Sequence, residues 1–224
     1  MADAEFWERP DIVARFAARD PDHRLVALAA RRDVQGLRAL DIGCAAGRNS
    51  RFLAERGADV WALDGSSAMV EATRSGLAAV LGEADADRRV IHGRMDVLDA
   101  FADGGFDLVL LLGVLQNAAS DAELERTLDE VRRVLAAAGH CLVANFAPDS
   151  QPSGVPVSRV AGERHVYTDF GGPHRRIALL TPAALDAAFG RRGLAPEIPT
   201  ATVRIATQRG HRTTVNALYR LVDA

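Results

Sequence analysis

The stretch that decides the fold is residues 39–49, Ala-Leu-Asp-Ile-Gly-Cys-Ala-Ala-Gly-Arg-Asn. Its first residues form a short apolar run that predicts a buried strand, and a tight turn from Gly43 to Gly47 leads into a helix that begins near Asn49. Glycines in such a turn permit positive φ and let main-chain N–H groups face a ligand at the helix N-terminus. Asp41 places a carboxylate before the turn, which disfavours a phosphate and favours a ligand that carries an ammonium group.

Strands and helices alternate along the chain on both sides of this turn. The predicted strands are 60–63, 90–92, 108–112 and 141–144, and the predicted helices are 11–18, 22–32, 66–81, 122–135 and 181–192. Two further strands, 201–207 and 213–222, are predicted to form an antiparallel hairpin at the edge of the sheet. Alternation of this kind predicts an α/β fold with right-handed crossovers, a mostly parallel sheet and helices on both faces. A ligand site is therefore expected at the carboxyl ends of the strands.

The composition excludes several classes of function. The formal charge of −3 and the pI near 6.1 give no broad basic face, so we expect neither a nucleic acid nor a membrane as partner. All 27 basic residues are Arg, and without Lys there is no Schiff-base lysine and no P-loop lysine. Cys44 and Cys141 lack CxxC spacing, so we expect reduced thiols and no metal site. The N-terminal residues lack the layout of a signal peptide, and no apolar run is long enough to cross a bilayer, so a cytoplasmic location is expected.

Carboxylates and apolar side chains follow the next strands at matching places. Asp64 stands at the end of the second predicted strand, where a carboxylate accepts hydrogen bonds from both hydroxyls of a ribose. This feature alone also fits an enzyme that binds NAD. Met95 and Asp96 stand at the exit of the third strand, where they offer an apolar contact for a purine face and an acceptor for its exocyclic amine. Gly113 follows the fourth strand and is expected to line the same pocket.

In this order the sequence resembles the class I S-adenosylmethionine-dependent methyltransferases, through Asp41-x-Gly43-x-x-x-Gly47, Asp64, Gly93-x-x-Asp96 and Phe106-Asp107-Leu108-Val109. The resemblance covers most of residues 35–147. It implies a three-layer Rossmann-like sandwich with a seven-stranded, mostly parallel sheet whose last strand is antiparallel. Residues 44–50 are further similar to the tellurite and thiopurine methyltransferase branch of that family.

The resemblance also implies roles for individual residues. The backbone of Gly43 and Ala45 would face the methionine part of the cofactor, Asp41 its amino group and Asp64 its ribose. The cofactor-binding residues implied in full are Asp41, Gly43, Ala45, Gly47, Asn49, Asp64, Gly65, Met95, Asp96 and Gly113. Ala45 departs from the family, which has a glycine there, and an alanine costs about 1 kcal/mol where φ is positive.

The resemblance implies a single methyltransferase domain in four segments. These are an N-terminal helical lid (1–34), a cofactor-binding core (35–147), a substrate loop (148–180) and a C-terminal helix and hairpin (181–224). The implied reaction moves the methyl group of S-adenosylmethionine to an O, N, S or C nucleophile of a small molecule and leaves S-adenosylhomocysteine. Because the methyl group is already activated, the protein mainly has to align the reactants and exclude water.

Candidate residues for the acceptor side lie after the fourth strand and in the long loop. The candidates that would remove a proton from the acceptor are His165, Tyr167 and His174. The candidates that would contact the acceptor are Gln116, Asn117 and Arg175. Two alternatives stay open at this point, an S-adenosylmethionine-binding protein that transfers no methyl group and an NAD-dependent oxidoreductase. The acceptor is undetermined, and a monomer and a homodimer are both compatible with the sequence.

Overall fold

The computed structural model of the chain describes residues 2–170 and 175–222. The helices are α1 (Ala2–Trp7), α2 (Pro10–Ala17), α3 (His23–Ala29), α4 (Arg48–Ala54), α5 (Ser67–Leu81), α6 (Glu83–Arg89), α7 (Asp121–Val134) and α8 (Pro182–Gly190). The strands are β1 (Arg38–Ile42), β2 (Asp59–Asp64), β3 (Val90–His92), β4 (Phe106–Leu112), β5 (Leu135–Phe146), β6 (Ser158–Arg159), β7 (Val166–Thr168), β8 (Ile177–Ala178), β9 (Leu194–Pro196), β10 (Ala201–Ala206) and β11 (His211–Leu221).

The main sheet has the strand order β10-β11-β5-β4-β1-β2-β3. Strands β1 to β5 pair in parallel, whereas β11 runs antiparallel to both β5 and β10. The short strand β9 adds an eighth member by pairing with β11. The predicted seven-stranded, mostly parallel sheet with an antiparallel last strand is thus confirmed. The order reverses between β1 and β4, and in open α/β sheets ligands bind at the carboxyl ends beside such a reversal.

The core lies on both faces of the sheet because its central strands are apolar on both sides. In β1, Leu40 and Ile42 pack into one cluster and Ala39 into the other, as the alternation of side chains along a strand requires. The flanking helices begin at side-chain caps. Ser120 Oγ accepts a hydrogen bond from Glu123 N at the start of α7, and Thr181 caps α8 in the same way.

Four short features were not predicted: helices α1 and α6, strand β9 and a small sheet within residues 148–180. Helix α6 is mostly charged and fully buries only Ala86, so it has no apolar stripe for a periodicity to reveal. The segment predicted to be a loop contains an antiparallel sheet of order β6-β7-β8. Its side chains Phe170, Ile177 and Leu179 form a separate apolar cluster, against which Phe146 packs.

The N-terminal helices are fastened to the start of α5. The Glu8 carboxylate accepts hydrogen bonds from Ser67 N, Ser67 Oγ and Ala68 N at 2.9, 3.0 and 3.0 Å. Ser66 Oγ donates to Trp7 O at 3.2 Å. A carboxylate at a helix N-terminus is stabilised by the unpaired N–H groups there. Among the described residues, no helix is both long and apolar enough to cross a membrane.

Candidate active site

A cavity of about 410 Å³ opens at the carboxyl ends of the parallel strands. The turns that follow β1, β2, β3 and β4 form its walls, and Trp7 and Phe16 of the N-terminal helices cover it. These two rings meet edge to face with centroids 5.4 Å apart. The volume lies within the range of small-molecule sites, about 300 to 1,000 Å³.

The glycines of the first turn are required by close packing against the protein. Gly43 has a φ of +71°, and a Cβ there would lie 2.5 Å from Val114 Cγ2. Gly47 has a φ of +76°, and a Cβ there would lie 2.8 Å from Thr73 Cγ2. Gly43 lines the cavity, whereas Gly47 stands behind it as the N-cap of α4. Only Gly43 of this pair is therefore placed to face a ligand.

Ala45 adopts the left-handed conformation that its position in the turn requires. Its φ is +49°, one of three positive values at non-glycine residues of the described chain. Its N–H donates to Asp64 Oδ2 at 2.8 Å, and its carbonyl oxygen accepts from Thr73 Oγ1 at 2.6 Å. Ala45 lines the cavity, so its backbone is held in place by two side chains that belong to other elements.

Asp64 lies in the wall of the cavity with half of its acceptor capacity used. Its Oδ2 accepts from Ala45 N, and its Oδ1 accepts from Ser66 N at 2.9 Å. A carboxylate offers about four lone-pair sites, so about two are left for the hydroxyl groups of a ligand. Burial raises the pKa of Asp64, although these two backbone N–H groups oppose the rise.

Asp41 lies behind the turn and does not line the cavity. Its side chain is buried and accepts a hydrogen bond from Ser50 Oγ at 2.7 Å. Burial raises the pKa of Asp41 to about 6, and the negative charge of Asp64 adds to the rise while Arg48 and Ser50 oppose it. Two buried carboxyl groups close enough to interact favour a cation nearby. The predicted contact with an amino group stays a prediction, and in this geometry the carboxylate acts on a ligand through its charge.

At the exit of β3 the structure brings Met95 to the cavity and turns Asp96 away. Asp96 Oδ1 accepts from Arg94 Nε and Asp96 Oδ2 from Arg126 Nη2, both at 2.9 Å. Burial opposes ionisation, but the two arginines hold the pKa of Asp96 below its ordinary value. Met95 and Gly65 line the cavity, whereas Asp96 does not. The predicted adenine contact of Asp96 stays a prediction.

The acceptor side joins residues from two separate regions. Gly113 and Asn117 line the cavity beyond β4, and Asn117 Oδ1 accepts a hydrogen bond from Arg175 Nη2 at 3.2 Å. Gln116 does not line the cavity, but its amide nitrogen would lie 3.8 Å from a Cβ built at Gly113. The structure thus places the three predicted acceptor contacts, Gln116, Asn117 and Arg175, around the same end of the cavity.

The two predicted proton acceptors that the structure describes, His165 and Tyr167, lie away from the cavity. His165 lies just before β7, where its N–H donates to Asp121 Oδ1 at 3.0 Å, and burial lowers the pKa of its imidazole. Tyr167 pairs with Arg159 and Ile177 within the small sheet. Neither side chain lines the cavity. His174 lies outside the described residues, so its role stays a prediction.

Several cavity residues were not assigned a binding role from the sequence. Arg48 lines the wall beside the first turn, next to the predicted cofactor residue Asn49, whose Oδ1 accepts from Asp22 N at 2.8 Å. Arg94 and Glu123 line the opposite end and pair with each other at 3.0 Å. The sequence indicates a cap role for Glu123, because it follows Ser120 by three residues. Its second role depends on Arg94, which is distant in the chain.

Comparison with known proteins agrees with this geometry. The sequence model of the methyltransferase-domain family matches residues 40–143. This match covers just under half of the chain and supports the predicted resemblance to the class I S-adenosylmethionine-dependent methyltransferases. The predicted similarity to the tellurite and thiopurine branch within that class stays a prediction.

Two named relatives and one solved structure to which the chain is similar are methyltransferases. A ubiquinone biosynthesis O-methyltransferase of Psychrobacter cryohalolentis is 27% identical over 71% of this chain and 61% of the relative. A demethylmenaquinone methyltransferase of Clavibacter sepedonicus is 35% identical over 53% of this chain and 45% of the relative. The matches thus span less than two thirds of either relative's length. A 1,6-didemethyltoxoflavin N1-methyltransferase of Burkholderia thailandensis has the same fold, with a TM-score of 0.64 and 19% identity over 89% of this chain and 76% of that one.

Proposed function

We propose that this methyltransferase moves the methyl group of S-adenosylmethionine to a small-molecule acceptor. The observation that carries the proposal is the cavity at the reversal of strand order, with Asp64 in its wall and the Gly43 turn beside it. The membership of residues 40–143 in the methyltransferase-domain family supports it independently. That match also favours a methyltransferase over an NAD-dependent oxidoreductase.

The residues around the cavity fit this cofactor. Asp64 has acceptor sites left for ribose hydroxyls, and Met95 and Leu63 offer apolar contact to a planar base. The paired negative charges of Asp41 and Asp64 suit a ligand that carries an ammonium and a sulfonium group. Arg48 lines the wall beside the turn and is placed to meet the carboxylate of the methionine part.

The cofactor supplies a methyl group on a positively charged sulfur, so the chain's own task is to orient the acceptor and exclude water. Val114 and Leu112 form an apolar wall next to Gly113, and Trp7 and Phe16 cover the opening. Removal of water by these side chains strengthens the attraction between the buried carboxylates and the cationic ligand. The predicted proton acceptors His165, Tyr167 and His174 stay candidates for an acceptor that must lose a proton.

Binding of S-adenosylhomocysteine, measured by calorimetry, tests the cofactor assignment. We expect Asp64→Asn to weaken the affinity about 100-fold, because charge-assisted bonds to two hydroxyl groups are lost. Asp96→Asn is the matched variant, because it removes the same charge from a carboxylate that does not line the cavity, and we expect a loss below about threefold. Thermal unfolding of each variant separates lost binding from lost folding.

A folded wild-type protein that binds neither S-adenosylmethionine nor S-adenosylhomocysteine would falsify the proposal. Equal losses of affinity in the two variants would instead support the predicted adenine contact of Asp96. Transfer of a labelled methyl group to an extract of small metabolites separates an enzyme from a protein that only binds the cofactor. The single-domain organisation, the cytoplasmic location, the choice between monomer and homodimer and the absence of nucleic-acid and membrane partners stay predictions.

A further inference from the structure

Three arginines, Arg15, Arg19 and Arg212, stand around the mouth of the cavity, and we call them the arginine rim. Arg15 and Arg19 both face the ring of Phe16, with their guanidinium carbons 5.9 and 4.3 Å from its centre. Phe16 and Arg48 line the cavity itself. The two arginines on the N-terminal side of the rim are therefore held at the cavity by an aromatic ring that covers it.

Arg212 approaches the same mouth from the other side of the molecule. It lies at the start of β11, which runs antiparallel to β5, and so it stands at the carboxyl edge of the sheet where β5 ends in Phe146. Its guanidinium carbon is 5.7 Å from the centre of the Phe146 ring. Phe146 in turn packs against Phe170, with ring centroids 4.8 Å apart. This places Arg212 beside the small sheet of residues 148–180.

The rim concentrates positive charge that the protein itself does not neutralise. Burial lowers the pKa of Arg19, and the charges of Arg48, Arg15 and Arg212 lower it further, so the four groups share one field. Within the described residues, Arg15, Arg19 and Arg212 form no ion pair, and Arg48 has only Asp22, at 3.8 Å. Elsewhere, partly buried arginines such as Arg133 and Arg192 each contact two carboxylates. Arg15, Arg19 and Arg212 are exposed, so solvent screens their mutual repulsion, and their guanidinium groups remain open to an anion at the mouth of the cavity.

We propose that the arginine rim binds a negatively charged group of the methyl acceptor, so that the acceptor is an aromatic acid rather than a neutral compound. This inference rests on the proposed function, since it concerns the second substrate of the same cavity. Arg48 stands beside the first turn, next to the cofactor, whereas Arg15, Arg19 and Arg212 do not line the cavity and stand around its mouth. Phe16, whose ring lines the cavity next to Arg19, offers an apolar contact for the ring of such an acid.

The test compares acids with uncharged compounds of the same shape. Calorimetry with protein saturated with S-adenosylhomocysteine would measure benzoate against benzamide and 2-naphthoate against 2-naphthamide. We expect each acid to bind at least about tenfold more tightly than its amide, the ratio that one charge-assisted contact supplies. Arg19→Gln and Arg212→Gln should each remove most of this preference. Arg31→Gln, which removes an exposed charge at the end of α3, should leave it unchanged.

Three outcomes would overturn the proposal. The first is equal affinity for the acid and the amide of each pair, with no measurable binding of either counted as equal. The second is a preference for the acid that survives both rim substitutions, or that Arg31→Gln reduces as much as they do. The third is weaker binding of S-adenosylhomocysteine itself in Arg19→Gln and Arg212→Gln, which would assign the rim to the cofactor. Failure of the wild-type protein to bind S-adenosylhomocysteine is a separate result, because it contradicts the proposed function and not the charge preference.

Discussion

The turn at residues 43–47 lines the cavity, whereas no described residue of the segment 148–180 does, and the glycines of the two segments differ. Gly43 has a φ of +71° and would place a Cβ 2.5 Å from Val114 Cγ2. Gly162, in the second segment, has a φ of +81°, but a Cβ there would meet no atom within 4 Å. The first glycine is required by both its conformation and its packing, whereas the second is required by its conformation alone.

The difference shows why the turn at residues 43–47 can be predicted from the sequence and the contacts of the segment 148–180 cannot. The turn is held by contacts that its own short motif sets up with the ends of neighbouring strands, such as the bond from Ala45 N to Asp64 Oδ2. The segment 148–180 is held by long-range contacts of individual side chains. Asp121, for example, accepts from Arg164 N and His165 N at 2.6 and 3.0 Å, across more than forty residues. Pairings of that kind have no local pattern.

The largest expected effect comes from Gly43→Ala. The new Cβ both occupies the left-handed region and overlaps Val114, so we expect the free energy of unfolding to fall by about 3 kcal/mol or more. Gly162→Ala is the matched control, because it shares the φ penalty without the overlap, and it should cost about 1 kcal/mol. Urea unfolding of the two variants measures the difference. Equal losses would mean that packing does not distinguish the two segments.

Gly43→Ala should also abolish binding of S-adenosylhomocysteine, because the turn must shift away from Val114. Gly162→Ala should bind it like the wild type. Calorimetry on the folded fraction of each variant checks this, at a temperature well below the unfolding midpoint. An unchanged affinity in Gly43→Ala would show that the turn tolerates displacement and that its backbone is not the cofactor contact.

The next largest effect is expected at Asp41, the buried carboxyl group of the cofactor side. Its pKa is raised to about 6 by burial, from an ordinary value of 3.8. A raised pKa means that its favourable contribution is present below pH 3.8 and is lost as pH rises through about 6. This loss amounts to about 3 kcal/mol, and Asp41→Asn should therefore be more stable than the wild type above about pH 7.

Urea unfolding across the pH range measures this effect. The free energy of unfolding of the wild type should fall relative to Asp41→Asn between about pH 4 and pH 7. Asp87→Asn, which removes a carboxylate from the exposed face of α6, should run parallel to the wild type. If the free energy of unfolding of Asp41→Asn also runs parallel to that of the wild type, burial of the Asp41 carboxylate does not destabilise the protein. A simultaneous loss of affinity for S-adenosylhomocysteine would support the predicted interaction with the amino group.

Much of the fold follows from the sequence because the central strands are continuous apolar runs between turn signals. The run Phe106–Leu112 is buried along almost its whole length, which is typical of a parallel strand covered on both faces. The small sheet was not predictable in the same way. Strands β6 and β8 have two residues each, too few for a periodicity, and they depend on tertiary packing around Phe170.

Some residues of the candidate site were likewise predictable from the sequence, and others were not. The strand-end position of Asp64 predicted its place in the cavity wall, because backbone geometry alone fixes that place. The same reasoning does not account for the partner of Asp96, because its carboxylate accepts a hydrogen bond from Arg126 on α7, thirty residues away, and does not line the cavity. The arginine rim was equally hidden, since Arg19 and Arg212 lie near opposite ends of the chain. Sequence position therefore predicts where a strand ends, but not which partner a charged side chain finds.

The smallest expected effect comes from removal of a single methyl group, at Ala45 or at Ala138. Ala45 and Ala138 are both alanines in the left-handed region, with φ of +49° and +58°. Ala45 lines the cavity, whereas Ala138 lies near the start of β5, at the amino ends of the parallel strands. Glycine at either site removes the backbone strain that a Cβ causes at positive φ, but it also raises the conformational entropy of the unfolded chain. Because the first effect is the larger, the free energy of unfolding of each variant should rise by about 0.5 kcal/mol.

Only one of the two variants should change the site. Removal of the Ala45 methyl group gives a ligand closer access to the backbone of the turn, so Ala45→Gly should tighten binding of S-adenosylhomocysteine by about twofold to threefold. Ala138→Gly should leave the affinity unchanged while it gains the same stability. Equal affinities in the two variants would mean that the Ala45 methyl group lowers the stability of the fold but does not contact the cofactor.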